Sequence, residues 1–497
     1  MKHKTKSLFV VLALVFSGTL FAQKEVYKDM DAPQHERIMD LLSRLTIEEK
    51  ISLLRATSPG IPRLEIEKYY HGNEALHGIV RPGNFTVFPQ AIGLASMWNP
   101  DFLYEISTVI SDEARARWNE LNRGKDQKRL FSDLLTFWSP TVNMARDPRW
   151  GRTPETYGED PFLSGKLGVA FVKGLQGNDP RYLKVVSTPK HFAANNEEHN
   201  RFECNPQISE RDLREYYLPA FERCIIDGKA QSIMTAYNAI NDVPCTLNTW
   251  LLKKVLRTDW GFNGYVVSDC GAPSLLVTHH KYVKTPEAAA TLALKAGLDL
   301  ECGDNVYIEP LMNAYKQYMV SEAEIDTAAY RILRARMMLG LFDDPAKNPY
   351  NALSPSIVGC EKHKNMALEA ARQSLVLLKN ENDILPLTSD KKIAFIGKYA
   401  KTPRYQGGGS SHINSWKVES ALEVAKAIPE LANVTFAEGY QDEKDEVIEE
   451  LQKEAVKTAA EADVAVLFLG LPDNFESEGY DRKHMELPNC QNELVQK

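Results

Sequence analysis

Near the middle of the chain an apolar run, Tyr265-Val266-Val267, ends on Ser268-Asp269-Cys270. A charge at the tip of a buried strand is costly unless something pairs it or uses it. Asp269 therefore reads either as a cap on the next element or as a reacting carboxylate. Upstream, "SPTVNMARDPRWGRTPETYGEDP" (139–161) sets Trp150 and Tyr157 beside Arg146, Arg149 and Arg152. Aromatic faces stack on C–H surfaces and planar guanidinium donors fix hydroxyls or a neighbouring carboxylate, which suits a sugar site; a solvated loop with internal ion pairs is the alternative. Lys190-His191 closes another apolar run, as a site pair or a satisfied structural pair. The spacing in "KHFAANNEEHN" matches no zinc motif. Late in the chain "FESEGYDRKHMELP" (475–488) holds Glu476, Glu478, Asp481 and Arg482 on a segment too polar and glycine-interrupted for a core element. Alone it would be a solvated charge run.

These residues need elements to carry them. The runs "KVVSTPKHF" (184–192), "SIMTAYN" (232–238), "GYVVSDC" (264–270) and "AGLDLEC" (296–302) alternate with helical stretches such as "RDLREYYLPAFERCII" and "TPEAAATLALKA". Regular strand–helix alternation predicts parallel strands with helical crossovers. Each run ends in polar residues: Lys190-His191, Tyr237-Asn238, Asp269 and Glu301. In an α/β barrel the site is assembled from such strand ends. Before them, "HERIMDLLSRLTIEEKISLL" reads as two amphipathic helices broken at Thr46, with Glu49 completing a capping box. After them, residues 346–370 read as a linker followed by a helix continuing through "SLVLL". A second α/β region then has strands at "KIAFIG" (392–397), "NVTFAEG" (433–439) and "ADVAVLFLG" (462–470). Three strands are few for a layered domain, so this domain is expected to be C-terminally incomplete. The glycine run in "YQGGGSSHIN" lacks the lysine of a P-loop and the spaced glycines of a dinucleotide fold, a weak phosphate signal.

Bulk properties narrow the partner. A chain of 497 residues suggests more than one domain, since single cores rarely pass about 250–300 residues. Net charge is −8, with no long basic run beyond the N-terminus, which argues against nucleic acid or an anionic membrane surface. Residues 1–22 combine Lys2, Lys4 and Lys6, an apolar run too short to span a bilayer, and small residues before Ala22: an export signal. No later stretch is of spanning length, so no membrane insertion is expected once the signal is removed, and a periplasmic or extracellular location follows. Seven cysteines without CxxC pairing are neither a disulfide scaffold nor a zinc site; one internal bridge is possible, and spacing does not choose it.

Taken in order, "LLSRLTIEEK", "NEALHG", "RDPRWGRTPETYGEDP", "KHFAANNEEHNR", "TAYNAIND", "GFNGYVVSDCGA" and "ESEGYDR" resemble glycoside hydrolase family 3 over nearly the whole mature chain. The resemblance implies a (β/α)8 TIM-like barrel over residues 23–345, followed by an α/β/α sandwich over 371–497. It implies an exo-acting retaining β-glycosidase acting by double displacement on oligosaccharides, with no cofactor and no metal. By position Asp269 would be the nucleophile and Glu478 the acid/base, with Glu476 as the alternative. Glu74, Arg152, Lys190, His191 and Tyr237 would bind the sugar, and Lys190, His191 and Arg152 would keep Asp269 ionised. Glu74, where many family glucosidases have Asp, and Cys270, where they have Trp, resemble the β-xylosidase branch; "KHFAANNEEHNR" is closer to the glucosidase branch. Xylose is thus the expected sugar, with β-glucosidase activity as the alternative. An N-acetylglucosaminidase would need an Asp-Ser-His in the loop after Lys190-His191, which is not present. An inactive fragment or a carbohydrate-binding pseudo-enzyme is the reading from another class.

Overall fold

The computed structural model describes residues 25–122, 133–303 and 306–497. The expected export signal at 1–22 lies outside the described residues. The capping box at Thr46 is present: its side chain accepts from Glu49 N–H and separates helices Gln34–Arg44 and Ile47–Leu53.

The first lobe is built on short, deeply buried strands. Ser232–Thr235 and Tyr265–Ser268 pair in parallel and are buried throughout, as apolar strands covered on both faces are. Thr136–Phe137 pairs in parallel with Val186–Ser187, and bridges link Thr141 to Lys190, Phe192 to Thr235, Val267 to Leu300 and Arg55 to Glu301. Thr57–Ser58 pairs with Tyr69–Tyr70, and Trp138 N–H donates to Asn73 C=O at 2.8 Å. Among the described residues the pairings therefore pass through seven segments and return to their start. Besides the antiparallel hairpin of Ala239–Ile240 with Val243–Pro244, the uniformly parallel alternation expected from sequence fails where Thr57–Ser58 and Tyr69–Tyr70 run antiparallel. Only the short segment 59–68, with a single turn of 3-10 helix at Pro62–Leu64, joins them, and a parallel crossover needs more chain.

His77, in "NEALHG", is fully buried, its Nδ1–H donating to Phe88 C=O at 2.9 Å. Burial pulls its pKa down to about 4, below the ordinary 6.5. A histidine depressed in the folded state stabilises fully above its unfolded pKa, and that contribution is lost as pH falls toward the folded value. The cost of His77→Gln, measured in denaturant at pH 7.5, is expected to shrink by about 2 kcal/mol at pH 5. An equal cost at both pH values would show that the imidazole does not titrate this way.

The connection is more ordered than a loose linker. Asp344, Asn348 and Ser354 each precede a proline and cap a short 3-10 turn with their side chains. Tyr350 Oη accepts from the N–H groups of Asn178 and Asp179, tying this stretch to the first lobe. Helix Glu361–Ser374 starts inside the expected linker and stops before Leu375, so "LVLL" is not helical as expected. Leu375 and Leu378 are 80% and 91% exposed.

The second lobe has a parallel sheet with Ile393–Ile396 between Thr435–Ala437 and Val464–Leu467. Alternation sends Ala394 and Ile396 to one face, where they meet Ala455 and Leu494 of helices Glu449–Ala460 and Asn489–Gln496. Ile393 faces the other side, against Leu422 and Ala425 of helix Ala421–Ala427. Helices thus cover both faces. Among the described residues no helix is long and apolar enough to cross a membrane.

Candidate active site

A cleft of about 150 Å³ opens where the C-terminal ends of the first-lobe strands meet the second lobe. Glu74, Arg152, Lys190, His191, Tyr237, Asp269 and Glu478 all line it, so the seven residues expected from sequence converge. Glu476 does not line it: that side chain turns away to pair with Arg404 at 3.1 Å.

Asp269 is held by the strand before it. Its N–H donates to Thr235 C=O at 3.2 Å, prolonging the parallel pairing by one residue, and its Oδ1 accepts from Cys270 N–H at 2.8 Å. Oδ2 is buried with no hydrogen-bond partner. Burial raises the Asp269 pKa, an effect that the Arg152 guanidinium, Lys190 and the Cys270 N–H offset in part. The sequence could not choose a cysteine pair; the structure joins Cys270 to Cys302. With Gly271 N–H donating to Cys302 C=O at 2.7 Å and Tyr237 Oη–H donating to Cys270 C=O at 2.9 Å, the turn after Asp269 is fastened on two sides.

His191 differs from the expectation that it helps as a cation. Asn143 clamps it: Nδ2–H donates to His191 C=O at 2.8 Å, while Oδ1 accepts from His191 N–H at 2.7 Å and faces Nδ1 at 3.1 Å. That network assigns the ring proton to Nδ1. Burial, then Arg152, Lys190 and Arg201, push the imidazole pKa well below its usual value, so the ring is neutral. Its Nε2, 3.7 Å from Asp269 Oδ2, is left as an acceptor for a ligand hydroxyl. Lys190 Nζ pairs with the buried Glu74 carboxylate, which also accepts from Ser139 Oγ–H at 3.3 Å.

Glu478 comes from the other lobe. Its Oε2 accepts from Ser410 N–H at 2.7 Å, and its Oε1 lies 3.2 Å from Arg201 and 3.5 Å from Arg152. Burial alone would raise its pKa, but Arg152, the Ser410 N–H and Lys190 outweigh burial and hold the carboxyl well below the usual range. These surroundings favour the ionised form, whereas the acid role expected of Glu478 needs the proton. Arg152 is itself buried and forked onto Glu155 at 2.8 and 3.0 Å.

Sequence reasoning missed several contributors. The glycine run is a cradle for a side chain rather than a phosphate: a Cβ on Gly409 would lie 2.5 Å from Glu478 Cβ. Arg201 and Glu198 stand in the quoted "KHFAANNEEHNR", but their polar surroundings gave no period to read. Trp150 and Tyr157, expected to offer faces to a sugar, are buried at 2% and 1% exposure, and Trp150 Nε1–H donates to Glu198 at 3.0 Å. Trp138 and Tyr237 are the aromatic residues lining the cleft instead.

Two carboxyl groups lining one cleft, Asp269 with a bare oxygen and Glu478 among cations, could attack and protonate a bond held between them. The chain is 42% identical over 401 residues to a xylan 1,4-beta-xylosidase of Xylanibacter ruminicola, covering 79% of this chain and 46% of that protein. It is 39% identical to beta-D-xylosidase 3 of Arabidopsis thaliana, covering 92% and 60%. A GH3 exo-beta-xylosidase in complex with a xylobiose aziridine activity-based probe superposes with a TM-score of 0.86 at 30% identity, covering 95% and 61%. A GH3 beta-glucosidase of Bifidobacterium adolescentis gives 0.76 at 34% identity, covering 92% and 61%. The chain thus spans about half to three-fifths of the length of these relatives. Residues 63–335 match the glycosyl hydrolase family 3 N terminal domain and residues 375–497 the family 3 C-terminal domain, and the chain belongs to glycosyl hydrolase family 3.

Proposed function

We propose that this chain is an exo-acting retaining β-glycosidase with β-xylosidase activity, working on neutral oligosaccharides released from xylan. The observation that carries the reading is the buried, unpartnered Asp269 Oδ2 in a cleft that Glu478 of the other lobe also lines. In the first step Asp269 Oδ2 bonds to the anomeric carbon as the glycosidic C–O bond breaks, and Glu478 gives its proton to the leaving oxygen. In the second, Glu478 takes a proton from water, the water oxygen bonds to the anomeric carbon and the ester to Asp269 breaks. The same reading takes 23–345 as a (β/α)8-type catalytic barrel, 346–370 as a linker and 371–497 as an α/β/α layer supplying Glu478. The basic, apolar N-terminus supports export, so the reading places the enzyme outside the inner membrane.

Hydrolysis of 4-nitrophenyl β-xyloside and β-glucoside tests it: release faster from the xyloside is expected, and no release from either by folded protein overturns it. Preference for the glucoside would install the β-glucosidase reading. Support for xylose comes from the wall. Glu74 reaches one methylene further into the cleft than Asp would, and the Cys270–Cys302 bridge stands beside Asp269. Glu74→Asp is expected to raise the glucoside-to-xyloside ratio of kcat/KM by about 10-fold, the scale of one methylene in a fitted pocket. An unchanged ratio would remove Glu74 from the specificity argument.

A further inference from the structure

The segment that presents Glu478 is tied to the first lobe by a reciprocal pair of acidic side chains. Asp481, three residues past Glu478, reaches across the lobes: Oδ1 accepts from Gly151 N–H at 2.8 Å, and Oδ2 accepts from the N–H groups of Glu198 and His199, both at 2.9 Å. Glu198 reaches the other way. Its fully buried carboxylate accepts from Gly479 N–H at 3.0 Å, the peptide next to Glu478, and also from Trp150 Nε1–H at 3.0 Å and Arg201 at 2.9 Å. Arg201 then bridges Glu198 to Glu478. Beside this pair the backbones touch directly: Arg482 N–H donates to Arg149 C=O at 2.8 Å, and a Cβ on Gly151 would lie 2.0 Å from Tyr480 C=O.

We propose that Asp481 and Glu198 are positioning residues for the acid/base, a clasp in which Asp481 accepts three backbone N–H groups of the first lobe and Glu198 accepts one of the second, and together they set where Glu478 stands relative to Asp269. Geometry favours this over a general tie between lobes. The contacts fall at Gly479 and Asp481, one and three residues from Glu478, and on the loop that also carries Arg152. Charge-assisted bonds from a carboxylate to several N–H groups are short and directional, so they fix orientation as well as distance. The inference rests on the glycosidase reading above.

Asp481→Asn is the test, because the amide has one acceptor only: whichever way it turns, one side of the clasp loses its acceptor. A displaced acid/base hurts substrates whose leaving group needs a proton and spares those whose leaving group departs as a stable anion. The expected result is a loss on the order of 10²-fold in kcat/KM on xylobiose, the scale of an ångström of misplacement, with less than about threefold loss on 2,4-dinitrophenyl β-xyloside. Gly151→Ala, which wedges the same contact without touching a carboxylate, is expected to reproduce the pattern. Amide hydrogen exchange on both variants is expected to rise at 149–152 and 198–199 and nowhere else. Equal losses on both substrates, or no loss on xylobiose, overturn the inference. If the unmutated chain hydrolyses neither substrate, the glycosidase reading falls, and unchanged exchange at those segments would independently overturn the clasp.

Discussion

Asp269→Asn is expected to lower kcat/KM on 4-nitrophenyl β-xyloside by on the order of 10⁴-fold or more, the scale of removing a covalent nucleophile, while the protein stays folded. The stability half of the expectation separates this residue from a structural aspartate. A carboxylate that caps or pairs loses stability when neutralised. Asp269 is different: its Oδ2 has no hydrogen-bond partner, it faces the bare Nε2 of a neutral histidine, and burial raises its pKa. The charge costs more in this position than an amide would. The asparagine Nδ2 can donate toward His191 Nε2, so thermal unfolding of the variant is expected at or above the temperature of the unmutated chain. Activity and stability then move in opposite directions, as they do where a fold holds a destabilising group for its chemistry. A loss below about tenfold would mean that the nucleophile lies elsewhere. A lowered melting temperature would return Asp269 to the role of a cap.

Buried parallel strands were legible because they must be apolar on both faces, and their polar exits at Lys190, Tyr237 and Asp269 broke that pattern visibly. The capping box at Thr46 was legible because it is a local side-chain-to-backbone exchange. What failed to show depended on partners far away in the chain. Cys270 and Cys302 are 32 residues apart and meet only because neighbouring segments end together. Ser410 matters through its backbone N–H, which no residue type reveals. Trp150 was misread for a related reason: its indole satisfies a buried carboxylate, and tryptophan in an arginine-rich loop reads the same whether it faces ligand or core. The two carboxyl groups that line the cleft, Asp269 and Glu478, were legible as residues. Their charge states were not, because these are set by burial and by Arg152 and Lys190, which fold in from elsewhere.

Those charge states govern what Glu478→Gln should do. Glu478 keeps its charge to unusually low pH, whereas Asp269 is pushed up, so the last proton on the pair resides chiefly on Asp269. The productive arrangement, proton on Glu478 and charge on Asp269, is then the minor one, and two coupled ionisations bound it on either side. On xylobiose the Gln variant is expected to lose about 10²–10⁴-fold in kcat/KM, the range for removing a general acid. On 2,4-dinitrophenyl β-xyloside the first step needs no acid, so kcat/KM is expected to stay within about tenfold. Loss of the base slows the second step, so kcat and KM should fall together and a burst of one product per enzyme should appear. Azide, which attacks without giving up a proton, should restore turnover and yield the glycosyl azide. The pH profile carries the sign. With no proton required on residue 478, activity toward the activated substrate should persist to alkaline pH, leaving only an acid limb from protonation of Asp269. That ionisation should itself lie lower than in the unmutated chain, since the Glu478 charge is one of the influences raising it. Glu476→Gln, whose parent side chain is engaged with Arg404, should show none of these features. If it shows them and Glu478→Gln does not, the acid/base is Glu476, and the loop must reorganise around Arg404 when substrate enters.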